Sequence, residues 1–318
     1  MAKKKAVKEI PLGVCEFCKG EFEKAKMTQH LKHCKQRAID ERARTKSDAA
    51  SGELQKTTLY HLVIEGRYNP QYWMHLEVPA FTKLEELDWF LRDIWLECCD
   101  HLSAFKVGKM YFSSEIESEE EEDFDEAEYA KAEEEYIAEQ RAELMKLVPP
   151  DAPPERVALA EKLLASSIRN AIDECSMNIR CGKVFKPGLR FSYTYDFGSS
   201  TDLGLRVVAV REGEAKEHEE EFDIQLPAMN LPPVILCSTC GKPATWVTHE
   251  FMGNEPFCTE CLKKKKYDYR EGALPVVNSP RVGTCAYDGG ENELYKTLYD
   301  EDEEIEEDEE EEEEDTDE

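Results

Sequence analysis

No stretch of this chain is apolar over the roughly 18 to 20 residues that a bilayer-spanning helix needs, so no membrane partner is expected. The basic start MAKKKAVKEIPLG is not followed by the apolar segment of a secretory signal, and a cytoplasmic protein is expected. Also absent are a phosphate-binding G-x-x-x-x-G-K-S/T loop, a G-x-S-x-G nucleophile turn and an H-E-x-x-H helix. With them go the commonest sequence signs of nucleotide hydrolysis, serine-based acyl transfer and zinc proteolysis. Positive charge is scarce as well. Forty Lys and Arg face seventy Asp and Glu, a formal net charge of -30. What is present in quantity is hydrophobic sequence, 41% of 318 residues, enough for a folded core and for two or more domains. The mean hydropathy of -0.64 says that much of the chain stays outside that core.

The acidity is concentrated. Residues 300–318 carry -17 and residues 115–135 carry -12, so the remaining residues sum to -1 of the -30. Like-charged runs repel themselves and stay solvated. An acidic insertion over 113–128 and an acidic disordered tail over 300–318 are therefore expected. Such runs solubilise a protein, and they also attract a basic partner. Residues 1–37 lean the other way, with ten Lys or Arg against four Glu.

Twelve cysteines are many for this length. In a reducing cytoplasm, paired Cys-x-x-Cys spacings point to metal rather than to disulfides. Zinc favours a tetrahedron of thiolates and imidazoles, closed at all four positions in structural sites. Two sets fit. Cys15 and Cys18 form a first knuckle, and His30 and Cys34 follow four residues apart on a helix-compatible stretch, so both project from one face. His33 is the competing fourth ligand; Cys34 is preferred because thiolate binds zinc more strongly. This spacing resembles the C2HC-type zinc finger family, with Met27 where Leu is usual. The second set is Cys237, Cys240, Cys258 and Cys261, two Cys-x-x-Cys pairs seventeen residues apart, similar to a zinc ribbon. Gly241 follows the second thiol, where a knuckle needs positive φ. Two Zn(2+) ions are expected. A redox role fits poorly, since a thioredoxin-like motif has one such pair, not two matched ones. Cys98, Cys99, Cys175 and Cys181 could form a third site, but they share no ligand spacing and read better as buried or free thiols, with Cys285 unassigned.

Between the two metal sets lies the longest piece. LYHLVIE, YWMHLEVP, HLSAFKVG, LRFSYTYDFG and LGLRVVAVRE have strand composition. TKLEELDWFLRDIWLE reads as a helix with a Thr82/Glu85 capping box. Two further helical stretches follow the acidic insertion, the second starting at Pro154. The order predicts an α+β fold: a finger over 11–37, a polar linker over 38–57, a mixed α+β sheet domain over 58–225, a ribbon over 231–290 and the tail. The finger is expected to fold on its metal as a unit of its own.

The central piece resembles the plasmid pRiA4b ORF-3-like domain, whose members include IS1096-type passenger proteins of mobile elements. The resemblance rests on Pro70 to Trp73 after the first strand, Val78-Pro79, Trp95 followed by His101, Leu102 and Phe105, and the Tyr195 to Gly198 turn. It covers about half the chain and implies a compact α+β domain with no agreed activity. The family continues that turn with Asp, Trp and His, whereas residues 199–203 here are Ser-Ser-Thr-Asp-Leu. A site built on those positions would be degraded.

Function is read accordingly. The favoured reading is a non-enzymatic zinc-binding interaction or adaptor protein with structural metals and a protein partner, a basic one by charge. The first alternative is a nucleic-acid-binding protein of mobile-element origin, using Lys3, Lys4, Lys5, Lys32, Lys35 and Arg37, or Lys263 to Lys266. Net charge disfavours it, because the chain as a whole repels phosphate. The second alternative is an enzyme with a site on the central domain. Its only candidate set, His101, Asp196 and Asp202, reads better as core and turn residues.

Overall fold

The computed structural model describes residues 11–48, 54–116, 118, 126–149, 153–170, 173–216, 223–250, 253–265 and 272–290. The acidic tail and half of the expected acidic insertion, residues 117 and 119–125, lie outside the described residues.

The fold is α+β, with one large mixed sheet and one small one. Two long strands form its spine, β3 (Leu54–Gly66) and β9 (Thr201–Lys216), paired antiparallel along the whole length of β3. Their register slips between His61 and Leu62, where Val208 is left opposite no partner and makes a bulge. Outward from β3 come β4 (Trp73–Pro79), then β10 (Gln225–Asn230), then β1 (Leu12–Cys15) and β2 (Glu21–Glu23). Outward from β9 come β8 (Arg190–Tyr195), β5 (Ser103–Val107), β6 (Met110–Ser113) and β7 (Asp173–Ser176), ten strands in all. All neighbours are antiparallel except β6 and β7.

Alternation divides the side chains between two faces. Tyr60, Leu62 and Ile64 of β3 with Met74, Leu76 and Val78 of β4 point into the main core. That face is covered by α3 (Leu84–Leu91) and a π-helical turn at Arg92–Leu96, which add Leu84, Leu87, Leu91, Ile94 and Trp95. The helix starts one residue later than its capping box predicts: the N–H of Lys83 donates to the Glu86 carboxylate at 2.7 Å, and Thr82 is buried.

The opposite face of β4 presents Trp73, His75 and Glu77. It is covered by α1 (Lys24–His33) and α2 (Lys35–Asp48). Both faces being covered, every residue of β4 is buried. Under α2, Glu77 receives Arg37 at 2.7 Å and a two-pronged contact from Arg211 at 2.7 and 2.8 Å. His61 Nε2 meets His75 Nδ1 at 2.8 Å beside them.

Two expectations change here. The stretch 38–57 is not a linker: α2 occupies its first half, and β3 begins at Leu54. The N-terminal metal unit is not separate either. Its strand β1 pairs with β10, and its core of Cys15, Met27, Leu31 and Cys34 is completed by Trp73 and Ala228 of the large sheet. A polar sequence reads alike in coil and in a helix laid over a sheet by ion pairs, which is why composition alone suggested a linker.

Helices α4 (Glu126–Leu147) and α5 (Pro154–Asn170) follow the insertion, joined by Arg141 and Glu161 at 2.6 Å. A short α6 (Cys181–Val184) closes one end of the core. The small sheet holds β11 (Trp246–Glu250) between β12 (Gly253–Phe257) and β13 (Ala273–Pro275), with α7 (Thr259–Leu262) after β12. Among the described residues, no helix is long and apolar enough to cross a membrane.

Candidate metal centres

The chain brings three groups of Cys and His together, each with its ligand atoms all within 4.8 Å of one another. Each could hold a metal ion.

The first is Cys15, Cys18, His30 and Cys34. Cys15 ends β1, and the turn after it is closed by the N–H of Lys19 on the Cys15 carbonyl at 2.8 Å and by the N–H of Cys15 on Gly20 at 3.0 Å. Helix α1 carries His30, whose ring stacks on Phe22 at 3.8 Å between centroids. Cys34 is the residue at which α1 ends and α2 begins. The Cys18 sulfur lies 3.4 Å from His30 Nε2, and the Cys15 and Cys34 sulfurs are 4.0 Å apart. His33 is exposed and meets Gln29 at 2.8 Å instead, so the helix aims it away from the group. Burial, with Cys34 close by, pushes the Cys15 thiol up to about 11. Burial also lowers the His30 pKa, favouring the neutral imidazole that a metal needs.

The second is Cys237, Cys240, Cys258 and Cys261. The knuckle after Cys237 is closed by the N–H of Gly241 on the Cys237 carbonyl at 2.9 Å, and Gly241 has the positive φ, +72°, that its place requires. The other pair sits on the first turn of α7, with the N–H of Cys261 on the Cys258 carbonyl at 3.0 Å. Phe257, Leu262 and Trp246 pack around the thiols. Burial opposes ionisation of Cys237, but several backbone N–H groups, from Cys258, Cys240 and Thr239, outweigh it and hold its pKa near 6. Hydrogen bonding to Cys240, then burial, pushes Cys261 to about 12. The site thus offers a ready thiolate beside a protonated thiol, and a metal would displace the remaining protons.

The third is Cys98, Cys99, His101 and Cys285, a different set from the one weighed in the sequence analysis, where Cys98 and Cys99 stood with Cys175 and Cys181 and Cys285 was unassigned. Cys99 and Cys285 sulfurs are 3.9 Å apart, and His101 Nε2 lies 3.4 Å from the Cys285 sulfur. Cys175 and Cys181 lie elsewhere, in β7 and α6. The compact Cys-Cys-x-His run at 98–101 is the signal that could have marked this group. Its fourth member is 184 residues away from His101, so no local spacing exposes it.

The acid–base set dissolves into structure. Asp196 accepts the N–H groups of Gly198 and Ser199 at 2.9 and 3.0 Å and pairs with buried Arg281 at 2.8 Å; these bonds outweigh burial and hold it near 2. Asp202 accepts from Thr194 at 2.6 Å. Asp88 is likewise filled, by Ser103 at 2.6 Å, Tyr193 at 2.7 Å and Arg92 at 2.9 Å. Arg37, named as a phosphate contact, is buried against Glu77 and not offered to a ligand.

No family model matches the chain, and no curated protein matches it. Among solved structures, a protein of unknown function, MM3350 from Methanosarcina mazei Go1, is similar over 53% of this chain and 68% of its own length, at 15% identity and a TM-score of 0.29.

Proposed function

We propose that this chain is a non-enzymatic zinc-binding interaction protein, an adaptor whose metals are structural. The observation that carries this reading is the completeness of the two sets made by residues 15–34 and 237–261. Each presents four Cys or His donors, which fill a zinc tetrahedron and leave no position for water or substrate. Both groups also sit in small apolar cores, as structural sites do, the first sharing its core with Trp73 and Ala228 of the large sheet. The saturated state of Asp88, Asp196 and Asp202 supports a scaffold rather than a catalyst. The ordered motifs of the central piece favour kinship with pRiA4b ORF-3-like proteins. The acidic runs favour a basic protein partner in the cytoplasm.

The nucleic-acid reading keeps one specific observation: Lys32 and Lys35 are exposed on neighbouring turns of α1 and α2. Titration of the intact protein with a fluorescent polylysine and with duplex DNA over a salt series separates the two. Polylysine should bind, more weakly as salt rises and more weakly still without residues 300–318. Zinc analysis of protein purified without chelator should find both sets filled. DNA binding that strengthens on removal of the tail would replace the adaptor by the nucleic-acid reading, and a zinc-free protein would end both structural-metal assignments.

A further inference from the structure

We propose that Cys98, Cys99, His101 and Cys285 hold a third zinc ion, which clasps the C-terminal segment 276–290 onto the central sheet domain. This goes beyond the adaptor reading, because it concerns a site made only by the tertiary fold.

The distances are those of a zinc tetrahedron rather than of a disulfide. With Zn–S near 2.3 Å and Zn–N near 2.0 to 2.1 Å, sulfurs stand about 3.8 Å apart and sulfur and nitrogen about 3.6 Å. The group shows 3.9 and 3.4 Å, while a disulfide would bring two sulfurs to about 2.05 Å and leave the imidazole without a part. The thiol contacts of the two other groups, 4.0 and 3.6 Å, fall in the same range.

The loop that carries three of the ligands is built to present them. It leaves the π-helical turn at Leu96, a feature often found where a helix is bent for a purpose. Asp100 takes a left-handed φ of +53°, stabilised by its N–H on the Glu97 carboxylate at 2.6 Å. Arg92 holds the His101 carbonyl at 2.7 Å, and the Tyr195 hydroxyl accepts the His101 N–H at 3.2 Å. Cys98, Cys99 and His101 thereby turn to one side. The fourth ligand arrives in a conformation equally particular: Cys285 has φ +54°, two residues after Gly283 at +71°.

A cation also stands beside the group. Three thiolates, one imidazole and Zn(2+) carry a net -1, and the Arg281 guanidinium lies 3.3 Å from the Cys98 sulfur. Asp196, 3.6 Å from His101 Nε2, is already paired with that arginine and stands outside the group. The segment is docked by more than the metal. Asn278 exchanges hydrogen bonds with Asn230, and Ser279 donates to the Trp95 carbonyl at 2.6 Å. An ion at Cys285 would lock the last turn of that docking by joining residues 184 apart to His101.

The test uses the full chain, reduced and purified without chelator, by native mass spectrometry and elemental analysis. Three zinc ions per chain are expected. Cys285→Ser should hold two and should raise amide exchange across 276–290 at least tenfold, while Cys175→Ser keeps three. In the parent protein, Cys98, Cys99 and Cys285 should resist iodoacetamide until a chelator is added, a readout that does not depend on any variant folding. Two ions with those three thiols alkylated at once, or a Cys99–Cys285 disulfide in the reduced, zinc-loaded chain, overturns the clasp alone. No zinc at all overturns the clasp and the two other sites together.

Discussion

Lys19 sits at φ +56° in the turn that closes the first Cys-x-x-Cys knuckle, the place that Gly241 takes at +72° in the ribbon. A side chain there works against its own Cβ. Its ion pair with Glu16 is exposed and offsets little. Lys19→Gly should therefore raise stability by up to about 1 kcal/mol, read as a higher Tm at saturating zinc; a lower Tm would show that the turn is unstrained. The buried His61 and His75 give a second prediction at this scale. Burial pushes His61 from 6.5 down to about 4, and His75 well below its ordinary value. Folded, both stay neutral where the unfolded chain takes up protons. Their stability contribution is thus complete above pH 6.5 and is lost as pH falls from 6.5 toward 4, on the order of 3 kcal/mol for His61. Urea midpoints between pH 7 and 4.5 should fall less steeply in His61→Gln than in the parent, with zinc loss common to both; equal slopes would refute the assignment. Single residues were legible where chemistry is local. Gly241 could be argued from spacing, and Cys34 over His33 from the strength of thiolate as a zinc ligand. Cys285 could not, since its partners are fixed by the approach of two distant loops.

At the scale of elements, β3, β4, β5, β8, β9 and α3 follow from strand composition and helical spacing, although β3 begins at Leu54 and not at Leu59; the other strands were not read from the sequence. The α2 helix escaped because its stabilising partners, Glu77, Arg211 and Asp223, belong to other elements. Propensity holds no record of them. The attachment of β1 was hidden for a similar reason, although one residue marks it. A Cβ on Gly13 would lie 2.4 Å from the Trp73 ring and 2.5 Å from the Met229 carbonyl, so only glycine lets β1 close on β10. Gly13→Ala should cost about 1 to 3 kcal/mol and lower amide protection at Ala228 and Asn230. Unchanged protection would mean that the two strands separate readily without it.

For the molecule as a whole, the finger is the edge of the main sheet, and its metal group shares a core with Trp73. An independent finger would melt alone. Here Cys34→Ala should lose one zinc and also lower the main calorimetric transition, by several degrees for about 2 kcal/mol in a unit of this size. A main transition unmoved by that variant would restore the separate finger. Composition and motif order could show an α+β protein with metal groups at both ends. They could not show the strand order, because β10, late in the chain, lies between two elements from its beginning.

That placement has a consequence in time. Apart from β2, the sheet neighbour of β1 is β10, whose residues leave the ribosome some two hundred positions later. At 5 to 20 residues per second the wait is roughly 10 to 40 s. Throughout it, Cys15, Cys18, His30 and Cys34 have neither Ala228 beneath them nor β10 beside β1. A nascent chain stopped before residue 225 would carry those ligands into the cell undocked, and metal captured in that interval would precede the sheet it later helps to hold.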